Sequence, residues 1–324
     1  MNQLIPAFDA HRVFVEPWTD QFAGFGTVML MGFLVAVSCG LVGNYLMLRR
    51  MALMGDAVSH SVLPGLAVAF LVTGVRSTGA MLLGALLAGV ATTVIVETIQ
   101  RKTRVKQDAS IGVTFTTLFA AGVVLISLFS SQVDLDADCV LYGDIGMLVL
   151  EPIASWTEWP AALVRTAGVT LGLVGLVVLF YKELLVSSFD PGLARSLGIR
   201  PTVVHYGLML VLSVVVVTAF EAVGSILVIA MLILPGATAS LLTHRLPWVH
   251  WLSVVHAALS AVLGVHLSLI LECQIGPAMV VAGAAVFGAV WVAAPEHGLV
   301  ARWRREHRPL IQPPAGESGQ TGMS

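Results

Sequence analysis

Residues 22–48 read FAGFGTVMLMGFLVAVSCGLVGNYLML, an uncharged stretch of 27 positions closed by Arg49 and Arg50. A helix needs about 20 apolar residues to cross a hydrocarbon layer about 30 Å thick. This stretch is long enough to do so, and its basic end marks one membrane boundary. The same criterion selects Met51 to Gly74, Thr78 to Thr98, Ile111 to Ser130 and Ala161 to Tyr181. Val203 to Phe220, Val223 to Thr243, Trp248 to Leu271 and Ala278 to Ala294 follow. The expectation is an all-α, polytopic integral membrane protein of about nine transmembrane helices.

Composition points the same way, with 57% of the 324 residues hydrophobic and 11% charged, where soluble domains carry about 25% charge. A net charge of -2 gives no basic patch for nucleic acid, and that class of function is excluded. Cys39, Cys139 and Cys273 are too far apart for a zinc ribbon or a dithiol motif. Residues 1–21 carry Asp9, His11, Arg12, Glu16 and Asp20 instead of the basic start and early apolar core of a signal peptide, so the first helix is expected to be retained.

Short loops rich in Lys and Arg stay in the cytoplasm. Arg49, Arg50, Arg101, Lys102, Arg104, Lys106, Lys182, Arg195, Arg200, Arg245 and the tail arginines fall on one side if nine spans alternate. Only Arg12, Arg76 and Arg165 fall opposite. The expected organisation is an extracytoplasmic segment 1–21, a transmembrane domain 22–295 with a cytoplasmic connector 182–201, and a largely disordered cytoplasmic tail 296–324. The outer connection 131–160, with Asp134, Asp136, Asp138 and Asp144, contains an apolar piece too short to cross, which reads as re-entrant or interfacial.

The second span opens RRMALMGDAVSHSVLPG at residues 49–65 and sets Asp56 four positions before His60. On a helix the two share a face, with backbones separated in depth by about 6 Å. Counted from Arg50, His60 is expected about 15 Å deep, near the middle of the layer. Intramembrane acids are costly and usually face a cavity, a partner or an ion. Carboxylate oxygen and imidazole nitrogen together suit divalent manganese, iron or zinc. Two ligands make no cage, but a two-fold dimer would double them around an axis. A helix–helix hydrogen bond that binds nothing is the other open reading. Pro64 breaks the bond to the His60 carbonyl and can kink the helix beside the pair.

Within the connector, Asp190 suits an N-cap, Pro191 the first helical position and Gly198 a left-handed C-terminal turn. Leu193, Ala194 and Leu197 would cluster on one side of this short helix. So short a helix is marginal alone, and its stripe needs a surface, either its own bundle or another protein.

These segments resemble the permease family of manganese/zinc/iron ATP-binding-cassette importers. The resemblance rests on Leu48 to Phe70, Asp108 to Gly112, Lys182 to Leu185, Phe189 to Gly198 and Val223 to Ala239, and extends roughly from Phe22 to Ala294. It implies a multi-pass inner-membrane permease acting as a dimer, either a homodimer or a pairing with a related permease. Asp56 and His60 would coordinate the travelling ion, with no permanent cofactor. It implies that Asp190, Pro191, Leu193, Ala194, Leu197 and Gly198 form a coupling helix docked on a cytoplasmic ATPase, while an extracytoplasmic binding protein delivers the metal. Around Leu269 to Pro277 the chain departs from the Tyr-rich stretch that family members often carry.

None of the three lysines follows a glycine, so the chain has no phosphate-binding loop and ATP hydrolysis is expected elsewhere. A proton-coupled carrier or an intramembrane enzyme are the alternatives in other classes. Glu221, at the outer end of the seventh span, reads either as a gating residue or as an interfacial one. His256 and His266 lie ten positions apart, about 80 degrees from facing the same way on a helix, and make poor joint ligands.

Overall fold

In lipid every backbone polar group must be satisfied within its own segment, so long apolar runs become helices. The computed structural model describes residues 10–19, 21–74, 78–129, 145, 159–223, 225–294 and 298–306, and among them every regular element is helical. A short α1 (Ala10–Phe14) and a 3-10 turn (Glu16–Trp18) lead into α2 (Phe22–Leu48), α3 (Met54–Thr73), α4 (Thr78–Lys102) and α5 (Gln107–Phe129). After these come α6 (Ala161–Leu179), α7 (Tyr181–Phe189), α8 (Pro191–Ser196) and α9 (Pro201–Val223). The chain continues with α10 (Ser225–Leu242), α11 (Leu246–Leu271), α12 (Ile275–Ala293) and α13 (Leu299–Glu306).

Eight of these helices are long and apolar enough to cross a membrane: α2 to α6, α9, α11 and α12. The stretch expected as the seventh span forms α10, whose apolar portion Val228–Leu242 is shorter and holds Pro235. The expected piece in 131–160 lies outside the described residues apart from Ile145, Trp159 and Pro160. Residues 1–9 and 307–324 lie outside them as well.

The helix α2 is apolar all round, the pattern of a buried helix, and it packs against α6, α9, α10 and α11. One of its polar side chains has two partners on α11: Asn44 Nδ2 donates to Ser253 Oγ at 3.1 Å and lies 2.9 Å from His250 Nδ1. Such bonds hold helices together where lipid offers no competing partner. On the other side of the bundle α3 packs on α4 and α5. There Gly65 and Gly84 face each other so closely that a Cβ on either would overlap the other's carbonyl oxygen. Only small residues allow two membrane helices this separation.

The start of α3 differs from the sequence expectation. After Leu48 the chain makes a tight turn, with Arg50 N–H bonded to the Met47 carbonyl at 3.0 Å and Met51 N–H to the Leu46 carbonyl at 2.8 Å. Arg50 takes the left-handed conformation, φ 58°, which ends a helix in this way. Helix resumes only at Met54. Asp56 therefore stands in the first turn of α3, and His60 lies about 9 Å along the helix from Met54.

Candidate metal site

The helical period puts Asp56, His60, Pro64 and Val68 on one ridge of α3. That ridge is half-buried or exposed, while Ala57, Val58, Ser59, Ser61 and Val62 beside it are buried against the bundle. His60 Nε2 lies 3.1 Å from Asp56 Oδ1, each side chain 29% exposed. The imidazole is further fixed by α5. The Phe115 ring lies 5.8 Å away at 29°, and the Phe119 ring 5.8 Å away edge-on at 83°. Gly122, one turn on, presses against Pro64: a Cβ there would stand 2.8 Å from the Pro64 nitrogen. Although Pro64 cannot donate to the His60 carbonyl, α3 continues through it to Thr73.

Metal–ligand distances for imidazole nitrogen and carboxylate oxygen are about 2.1 Å, which sets two ligand atoms about 3.0 Å apart at a right angle. The 3.1 Å separation of Nε2 and Oδ1 is that of a hydrogen bond between the two side chains, and two ligand atoms on one ion would stand equally far apart. Among the described residues no three His, Cys, Asp or Glu side chains gather where they could hold a metal. A single chain offers one carboxylate and one imidazole, partly covered by α5 and each 29% exposed.

The connector forms two helices rather than one. In α8 the Asp190 carboxylate accepts from Gly192 N–H at 2.8 Å and Leu193 N–H at 3.0 Å, capping the helix as its sequence predicts. Gly198 takes φ +80°, and Ile199 N–H bonds to the Ala194 carbonyl at 2.9 Å, which closes the other end. The expected stripe divides. Ala194 is fully buried on the bundle, while Leu193 is 50% and Leu197 61% exposed, beside Phe189 at 62%. The helix is seated by one face and presents an apolar edge with the other.

Chain segments distant in sequence meet at the same end of the bundle. Arg49, Arg50, Glu97, Arg101, Pro191 and His205 line a polar cleft of about 420 Å3. Leu48, Phe189, His244 and Leu246 line a second cleft of about 320 Å3. At the opposite end Trp18 Nε1 donates to His266 Nε2 at 3.2 Å. His266 therefore has a structural partner. His256 is buried elsewhere in α11, and the two histidines form no joint site. Glu221 falls in the last turn of α9, and its side chain lies outside the described residues.

Sequence reasoning missed Phe115 and Phe119, because an aromatic pair four positions apart on α5 signals nothing until α5 lies against α3. It also missed the hydrogen-bonded surroundings of Arg49, which join residues more than a hundred positions apart.

A multi-pass helical protein with a half-exposed carboxylate–imidazole pair on a spanning helix and a capped helix at its basic end has the make-up of a transporter's membrane subunit. Residues 21–293 match the ABC 3 transport family, and the chain belongs to that family, a multi-pass, non-catalytic membrane component whose ATPase is a separate subunit. It is 40% identical over 277 residues to the zinc transport system membrane protein TroD of Treponema pallidum, covering 85% of this chain and 75% of that one. It is 38% identical over 276 residues to the manganese transport system membrane protein MntC of Halalkalibacterium halodurans, covering 85% and 89%. The solved structure of PsaBC from Streptococcus pneumoniae in complex with Fab matches with a TM-score of 0.72 at 30% identity, over 92% of this chain and 99% of that chain.

Proposed function

We propose that this chain is the permease subunit of an ATP-driven importer of divalent manganese or zinc, with Asp56 and His60 from two protomers holding the ion in transit. The observation that carries the reading is the 3.1 Å approach of His60 Nε2 to Asp56 Oδ1 on the partly exposed ridge of α3 that borders α5. An acid and an imidazole left partly exposed on a spanning helix are costly, so that ridge needs a further cover. A second copy supplies both the cover and the missing ligands. The same donor set serves ferrous iron, and the names of the relatives favour manganese and zinc.

The ion passes between the two copies of α3, and its affinity there is moderate, because an ion held too tightly never leaves. An extracytoplasmic binding protein loads the outer mouth. The ATPase receives the exposed edge of α8, formed by Leu193 and Leu197, with Asp190, Pro191, Ala194 and Gly198 fixing the shape of that helix. Pro64, seated against Gly122, and Glu221, at the far end of α9, are the gating positions.

Nine crossings, with the N-terminus outside and the C-terminus in the cytoplasm, fit this assignment. The chain leaves the basic end at Pro201 and is back there at Leu246, which lines a cleft with Leu48 and Phe189. The helix α10 is therefore the return crossing, in spite of its length.

Reconstitution in proteoliposomes tests the function. Uptake of Mn2+ or Zn2+ that requires both the ATPase and ATP is the expected result. Uptake by the permease alone, driven by a proton gradient, would instead make the Asp56–His60 pair a proton relay.

A further inference from the structure

Arg49 ends α2 and opens the turn into α3. Its guanidinium is enclosed by partners on several elements. Nε donates to Ser188 Oγ at 3.0 Å, Nη2 to Ser187 Oγ at 2.9 Å, and Nη1 to His205 Nδ1 at 3.4 Å. A guanidinium can only donate, so His205 Nδ1 accepts and the ring proton sits on Nε2. That proton is donated to Glu97 Oε2 at 2.9 Å, and Glu97 Oε1 accepts from Arg101 Nε at 2.7 Å. One hydrogen-bonded chain thus joins α7, the α2–α3 turn, α9 and α4.

Two neighbouring parts of this chain of bonds bear on transport. Ser187 and Ser188 immediately precede α8, and Asp190 N–H bonds to the Val186 carbonyl at 2.9 Å, which leaves no slack between α7 and α8. Arg49 itself opens the α2–α3 turn, which is closed by two backbone bonds and a left-handed Arg50, and Asp56 follows in the first turn of α3. Burial lowers the Arg49 pKa from its usual value, but an arginine remains charged. A charge withdrawn from water depends on its hydrogen-bond partners, and bonds of this charged kind are stronger than neutral ones.

We propose that Arg49 is a positioning residue that links the docking helix α8 to the metal-bearing helix α3, so that displacement of α8 by the ATPase is delivered through Ser187 and Ser188 to the turn from which α3 starts. His205 and Glu97 extend the same link to α9 and α4, which lets the helices around the site move as a group. The inference rests on reading the chain as an ATP-driven permease that docks its ATPase at α8.

The test uses the permease–ATPase complex in proteoliposomes, with Mn2+ and Zn2+ as probe ions. Arg49→Gln removes the charged fork, and the double variant Ser187→Ala, Ser188→Ala removes two of its acceptors while leaving Arg49. Both are expected to retain ATPase attachment, ATP hydrolysis and Mn2+ binding. The number of ions moved per ATP should fall about tenfold. Arg49→Lys keeps the charge without the fork, and its ratio should lie between wild type and Arg49→Gln. If Arg49→Gln does not fold, the double serine variant decides alone. A wild-type ratio in the variants overturns the proposal, as does loss of Mn2+ binding or of ATPase attachment, which would make Arg49 a residue of structure only. Failure of the underlying reading looks different: the wild-type complex would then move no ion on addition of ATP.

Discussion

The Phe115 ring lies 5.8 Å from the imidazole of His60 and tilted from it by 29°, so the orientation of a side chain on α3 is set by a residue on α5. Phe119 closes the edge at 5.8 Å. In the role proposed for His60, such a side chain is held in place before the ion arrives, which lowers the entropic cost of binding.

Phe119→Ala should therefore weaken metal binding without removing a ligand. An aromatic pair contributes about 0.5–1.5 kcal/mol beyond its burial, so Mn2+ affinity of the assembled permease should drop by a factor of about 2 to 10. Titration with Mn2+ in competition with a chelating dye reads this directly. Unchanged affinity would mean that Phe119 does not restrain His60.

The two faces of α8 should respond differently. Leu193 and Leu197 are exposed in the single chain, so Leu193→Asp or Leu197→Asp should leave folding intact while weakening ATPase attachment, because docking would bury an unpaired charge. Ala194 is fully buried, and Ala194→Leu should lower stability by about 1–3 kcal/mol through overpacking. Co-purification of the ATPase and thermal unfolding of the permease separate the two effects. Unchanged co-purification in both Leu variants would move the docking surface elsewhere.

Gly84→Leu should prevent α4 from reaching α3, since even a methyl group there overlaps the Gly65 carbonyl. The expected outcome is loss of monodisperse protein on size-exclusion chromatography. A folded Gly84→Leu protein with normal transport would show that the two helices need not approach so closely.

Arg50 holds a left-handed conformation, φ 58°, which costs a non-glycine residue about 1–3 kcal/mol. Arg50→Gly should raise thermal stability, or at least leave it unchanged, in a melting experiment. A marked loss of stability would mean that the Arg50 side chain holds the turn.

How far the sequence could be read depended on the range of the forces involved. Spans were legible because crossing a bilayer imposes a length of apolar residues, and the ends of α8 were legible because Asp190, Pro191 and Gly198 act on their own backbone neighbours. The Asp56–His60 approach was legible as a spacing of four. The late start of α3 was hidden because an arginine occupies the left-handed turn position where glycine is the usual signal. Phe115, Phe119 and the partners of Arg49 depend on which helices become neighbours, and no local pattern encodes that.

Anomalous scattering from the assembled transporter loaded with Mn2+ tests the central claim most directly. The account predicts a single manganese peak on the axis relating two protomers, within coordination distance of Asp56 and His60 of each, and absent from the Asp56→Asn protein. A manganese peak elsewhere in the membrane, or Asp56 and His60 packed dry against lipid or another helix with no ion between them, would contradict it.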